Sequence, residues 1–205
     1  MQDVEQHWTG VYDQKAPTEV SWYQAKPESS LRALERFGCQ PSDAFIDIGG
    51  GASNLVDALV SRGWADVTVL DIAASAIKVT QARLGNDAGK VHWEIADITD
   101  WQPSRRYYVW HDRAVFHFLT GPDQRDAYRR ALLKAVPRDG LVLMATFALD
   151  GPERCSGLTV RRYDPEMLAK ELGPSMQLLD SWREEHTTPF GAKQSFNWCA
   201  LRHEN

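Results

Sequence analysis

Hydrophobic positions along this chain change period repeatedly, and the changes outline its elements. Ala44 to Ile48 reads as a short buried strand. Ser53 to Arg62 reads as a helix, with Leu55, Val56, Leu59 and Val60 on one face. Val67 to Leu70 is a second strand ending at Asp71, and Ala73 to Leu84 a second helix. Val91 to Ala96 is a third strand ending at Asp97, and Tyr107 to His111 a fourth. A helix over Asp123 to Val136 and a strand over Leu141 to Phe147 follow. Strands alternating with helices of this length predict a parallel, doubly wound α/β sheet.

The flanking segments read differently. Asp3 to Asp13 has only weak helical periodicity. Gln14 to Pro27 is polar, is broken by Pro17 and Pro27, and carries the aromatic pair Trp22-Tyr23. A helix is expected from Glu28 to Phe37, stopped by Gly38. After residue 150 comes a loop rich in Gly, Pro and Arg, from Asp150 to Arg162, and then a helix from Pro165 to Leu172. Two strands, about Gln177 to His186 and Gln194 to His203, flank a turn at Pro189-Phe190-Gly191. So short a connection suits an antiparallel hairpin. The expectation is a Rossmann-like seven-stranded sheet, mostly parallel, closed by a C-terminal antiparallel hairpin strand. One domain is expected over residues 1–205, with 1–40 as an N-terminal helical and lid segment and 41–205 as the core.

The segment Asp47-Ile48-Gly49-Gly50-Gly51-Ala52-Ser53 follows a strand and opens a helix. Glycines let backbone approach a ligand closely, and the helix start behind them presents free N–H groups. A dinucleotide fingerprint would need glycine at position 54, where Asn54 stands. The form D-x-G-x-G fits instead. Asp71 lies about twenty residues beyond, where a strand-end carboxylate accepts both ribose hydroxyls in nucleotide-binding α/β folds. Asp97-Ile98, at the next strand end, has the chemistry to hold an adenine amino group and pack on the ring. Each feature alone also has a purely structural reading, since Asp at a strand end often caps a helix.

Composition narrows the partners. The chain has 205 residues, 43% hydrophobic and 25% charged, and a formal net charge of -5. That balance argues against nucleic acid or an anionic membrane as the main partner. Cys39, Cys155 and Cys199 lack metal-ligand spacing, and the six histidines are scattered, so no metal is expected. The first five residues lack the basic and apolar regions of a signal peptide, and the longest apolar run, Leu141 to Leu149, is too short to span a bilayer. A cytoplasmic protein is the expectation.

Asp47-Ile48-Gly49-Gly50-Gly51 resembles motif I of class I S-adenosylmethionine (SAM)-dependent methyltransferases. Asp71 matches that family's acidic ribose-binding position, and Asp97-Ile98 its adenine-site motif. The resemblance covers roughly residues 28 to 203. It implies SAM as cofactor, S-adenosylhomocysteine as product, and Asp47 near the methionine end of the site. Ser53 departs from the usual small residue there. The segment from Trp110 to Leu119 is similar to the fourth-strand motif of small bacterial methyltransferases, thiopurine methyltransferase-like enzymes and protein-lysine methyltransferases. In those families it lines the space between the methyl group and the acceptor. Glu19 to Tyr23 resembles an element that folds over the cofactor.

These readings yield an expected site. Trp22, Tyr23, Asp47, Gly49, Gly50, Gly51, Asp71, Ile72, Asp97, Ile98 and His111 are expected to bind the cofactor. His117 and Asp112 are the expected catalytic residues, with a neutral His117 as general base. Arg113, Phe116 and Arg154 are expected at the substrate pocket, although Arg113 could equally form a structural ion pair. The expected activity is methyl transfer to S, N or O of a small molecule, with a protein lysine as the alternative acceptor. A nicotinamide-dependent oxidoreductase and a non-catalytic SAM-binding module are further alternatives.

Overall fold

The computed structural model describes residues 2–204. Met1 and Asn205, the outermost residues of the expected domain, lie outside the described residues. Helices α1 (Gln2–Gln14) and α2 (Glu28–Arg36) precede β1 (Phe45–Ile48). Then come α3 (Leu55–Ser61), β2 (Val67–Asp71), α4 (Ala74–Leu84), β3 (Val91–Ile95), β4 (Val109–Arg113), α5 (Pro122–Ala135) and β5 (Leu141–Phe147). A two-residue hairpin, β6 (Arg154–Cys155) and β7 (Leu158–Thr159), leads to α6 (Pro165–Leu172), β8 (Met176–Thr187) and β9 (Lys193–His203).

Seven strands form one sheet in the order β3-β2-β1-β4-β5-β9-β8. The first five pair in parallel. β9 runs antiparallel to β5, from Leu141 opposite Arg202 to Phe147 opposite Phe196. β8 and β9 form the expected hairpin. Strand order reverses between β1 and β4, so the loops leaving their carboxyl ends diverge and open a crevice there.

Every residue of β1 is buried, and side-chain alternation splits the core in two. Ile46 and Ile48 join Trp110, Tyr128 and Met144 on one face. Phe45 joins Leu55, Leu59, Val67 and Trp198 on the other. Doubly covered strands of this kind must be apolar on both sides, which explains their continuous hydrophobic runs.

Several boundaries differ from expectation by a residue or two, most at β4 and α3. β4 starts two residues late, because Tyr107 N–H donates to Ala135 O at 2.8 Å and the ladder begins with Val109 opposite Phe45. It runs on to Arg113, so His111 and Arg113 share one face and Asp112 takes the other. Helix α3 starts at Leu55, whose N–H donates to Ser53 Oγ at 3.0 Å. The N-terminal periodicity, weak in sequence, belongs to a helix of 13 residues. No helix among the described residues is long and apolar enough to cross a membrane.

Candidate functional site

The glycine loop closes around Asp71. Gly51 N–H donates to Asp71 Oδ2 at 2.9 Å, and Ala73 N–H donates to Oδ1 at 2.8 Å. A Cβ on Gly51 would lie 2.6 Å from Asp71 Oδ2 and 2.7 Å from the Ala76 methyl, so no larger residue fits. Gly49 has φ +69, and a Cβ there would collide with Val115. Burial pushes the Asp71 carboxyl up to about 6, against the backbone N–H groups of Ala73, Gly51 and Ile72 that pull it down. Each carboxylate oxygen keeps a second lone pair, enough for the two hydroxyls of a ribose.

Two adjoining cavities lie at the carboxyl ends of β1, β2 and β4. The larger is lined by Asp71, Ile72, Asp97 and Ile98 on the sheet side and by Val4, Trp8 and Tyr12 of α1 opposite. The smaller is lined by Asp47, Gly50, His111, Ser30 and Tyr23. Tyr12, Trp22, Ile48, Gly49 and Arg113 border both. All eleven expected cofactor residues except Gly51 line one cavity or the other. Gly51 instead supports the loop through Asp71.

The acidic groups are each anchored. Asp97 Oδ1 accepts from Thr99 N–H at 2.8 Å and from the Thr99 hydroxyl at 2.7 Å. Asp47 Oδ1 lies 2.7 Å from His111 Nδ1. Arg113 at the border pairs with Glu184 at 3.0 Å, lies over the Phe196 ring, and reaches Trp22 O at 3.4 Å. Burial alone would push the Glu184 carboxyl up, but Arg113 and the Trp198 N–H bring it below the usual carboxylate value. The ion-pair alternative for Arg113 is therefore realised, and at the cavity border. Trp8 meets Trp22 and Phe118 edge to face, with centroids 5.6 and 5.0 Å apart, and walls the larger cavity with aromatic rings.

The expected catalytic pair lies elsewhere. Asp112 is fully buried and accepts from Val115 N–H at 2.8 Å and the Tyr128 hydroxyl at 2.6 Å. It pins the turn after β4, and burial pushes its carboxyl up to about 6. Phe116 packs against Tyr128 and Tyr163 in the core. His117 is sealed between Phe118 and Phe147, its Nδ1 accepting from Phe147 N–H at 3.3 Å. Burial lowers it to about 3. Asp112, Phe116 and His117 line neither of the two cavities. The turn after β4 passes through Ala114 at φ +74, beyond which Val115 and Phe118 line the larger cavity while Phe116 and His117 are buried. Arg154 is exposed and donates to Gly157 O within its own hairpin, while Cys155 beside it lines the larger cavity.

Sequence reasoning missed Trp8, Tyr12, Ser30 and Glu184. A signal existed for the first two: Val4, Trp8 and Tyr12 are spaced four apart, which is one face of a helix. Ser30 and Glu184 reach the site only through contacts with residues 81 and 71 positions away.

Comparison with known proteins matches this geometry. Residues 45–137 match the model of a methyltransferase domain. No curated protein sequence matches the chain. A protein solved in work on conversion of a disulfide bond into a thioacetal group during echinomycin biosynthesis shares the fold at TM-score 0.80 and 19% identity, over 98% of this chain and 93% of that one. A SAM-dependent methyltransferase from Anabaena variabilis gives 0.77 and 15%, over 98% and 95%. The 1,6-didemethyltoxoflavin-N1-methyltransferase of Burkholderia thailandensis, solved with its substrate and S-adenosylhomocysteine, gives 0.70 and 17%, over 100% and 86%. Residues 45–137 thus match a methyltransferase domain, and the strand order and the glycine loop closed on Asp71 belong to a fold shared with SAM-dependent methyltransferases.

Proposed function

We propose that the protein methylates a small-molecule acceptor at S, N or O, with SAM as the methyl donor. The observation that carries this reading is the walled cleft. Acidic strand ends at Asp97, Asp71 and Asp47 run along one side, and α1 with Trp8, Trp22 and Phe118 encloses the other. A cleft roofed by a helix and walled by aromatic rings suits a compact acceptor better than a polypeptide side chain on a folded surface. The toxoflavin N-methyltransferase, which shares the fold, also acts on a small molecule.

The chain's own groups fit a bound SAM. Asp71 would accept the ribose hydroxyls, Asp97 the adenine amino group, and Ile72 and Ile98 would pack on the ring. Asp47 would receive the methionine ammonium. When bound, SAM supplies a sulfonium methyl group for in-line displacement by the acceptor. The aromatic walls then exclude water, and Trp22 and Arg113, which border both cavities, align the acceptor. Burial pushes the Cys155 thiol up to about 11, so it stays protonated in the cleft.

Incubation with methyl-labelled SAM and separated metabolite and protein fractions tests the reading. Label is expected in a metabolite fraction. Label confined to protein would overturn the small-molecule acceptor. Calorimetry showing tight binding of NAD and none of SAM would overturn the donor.

A further inference from the structure

Ser30, His111 and Asp47 form a buried chain of three side chains at the wall of the smaller cavity. His111 Nδ1 lies 2.7 Å from Asp47 Oδ1, and His111 Nε2 lies 3.0 Å from Ser30 Oγ. The three residues are 1%, 2% and 3% exposed, and all three line that cavity. Phe45 and Trp198 flank the imidazole, at centroid distances of 5.9 and 5.8 Å, and hold its plane.

The protons follow from donor counting. A neutral imidazole carries one N–H and one lone pair. The nitrogen facing the Asp47 carboxylate must carry the hydrogen, so Nε2 offers a lone pair, and Ser30 O–H is placed to donate to it. Within the described residues the Ser30 hydroxyl hydrogen-bonds His111 Nε2. The other Asp47 oxygen, Oδ2, lies over Gly50, where a Cβ would meet it. Gly50 and Asp47 both line the cavity, so this oxygen is the one on the ligand side.

We propose that Ser30 is a positioning residue for cofactor capture. By donating to His111 Nε2 it keeps the Nδ1–H on Asp47 Oδ1, and so reserves Asp47 Oδ2 for the ammonium of the donor's methionine. The inference rests on the reading of SAM as methyl donor. The same logic orients metal-bound histidines, where the partner of one ring nitrogen sets the tautomer of the other.

Two measurements on the full chain test it. Long-range proton–nitrogen NMR reads the His111 tautomer in the wild type and in Ser30→Ala, without any ligand. Calorimetry reads SAM affinity in both. The wild type is expected to show a protonated Nδ1 and an accepting Nε2. Ser30→Ala is expected to move the Nε2 resonance and to weaken SAM binding by roughly fivefold, the scale of one neutral hydrogen bond. Ser30→Cys, a weaker donor, is expected to fall between. A wild-type His111 protonated at Nε2 would overturn the proposal even if Ser30→Ala did not fold. So would weaker SAM binding with unmoved His111 resonances, or moved resonances with unchanged SAM affinity. If the tautomer is as expected but the wild type binds no SAM, the donor assignment fails while the hydrogen-bond chain stands.

Discussion

Arg113 and Glu184 meet at 3.0 Å with both side chains only 9% exposed, and this pair ties the N-terminal segment to the closing hairpin. The same carboxylate accepts from Gln24 at 3.1 Å and from the Trp198 indole at 2.5 Å, while Arg113 also donates to Trp22 O. Removing one partner of a buried pair strands the other charge, at a cost of about 3–5 kcal/mol. Glu184→Gln is expected to destabilise by about that amount in urea unfolding. The double variant Glu184→Gln with Arg113→Met is expected to recover part of the loss. Additive losses would show that the two groups do not interact.

His117 gives a pH signature of stability. Burial lowers it from 6.5 to about 3, so the folded protein refuses a proton that the unfolded chain accepts below pH 6.5. Its contribution is present above pH 6.5 and is lost as pH falls toward 3, at up to about 1.4 kcal/mol per pH unit. Asp71 and Asp112, both raised to about 6, act oppositely, with their contribution falling as pH rises from about 4 to 6. His117→Asn is therefore expected to narrow its stability gap to the wild type between pH 7.5 and 5, leaving the pH profile of methyl transfer unmoved. A shifted rate profile would favour His117 as a base.

Asp71→Ala is expected to weaken SAM binding by about 1–3 kcal/mol in calorimetry, the scale of losing hydrogen bonds to a charged group. Unchanged affinity in a folded variant would remove Asp71 from the ribose site.

Gly49→Ala places a side chain at φ +69 and against Val115. The backbone conformation alone costs about 1–2 kcal/mol for a non-glycine residue. The variant is expected to lose SAM affinity, and the added change Val115→Ala is expected to restore part of it. Thermal unfolding with and without SAM checks both.

The residues proposed to hold the cofactor were legible as a group because strand ends place them. Apolar runs doubly buried in a parallel sheet stop where the chain leaves the core, and Asp47, Asp71 and Asp97 stand at or just past those stops. The acceptor half depended on features with no local signature. Only the run of β4 on to Arg113 sets the alternation that puts Arg113 at the cleft and Asp112 against Tyr128. Beyond the left-handed Ala114, a conformation that alanine does not advertise, Phe116 and His117 are buried. Ser30 with His111, and Arg113 with Glu184, meet only once the sheet is assembled. The closing hairpin, by contrast, was readable from its short turn.

One helix, α1, carries Val4, Trp8 and Tyr12 of the cleft wall, and its contacts with the rest of the fold fall mainly on α4. Docking of that helix and filling of the cleft are then linked equilibria. Whatever a ligand gains against Trp8 and Tyr12 it returns as resistance of α1 to local opening. The slowing of amide hydrogen exchange along residues 4–14 thus measures occupancy of a site whose acidic groups lie in other parts of the chain.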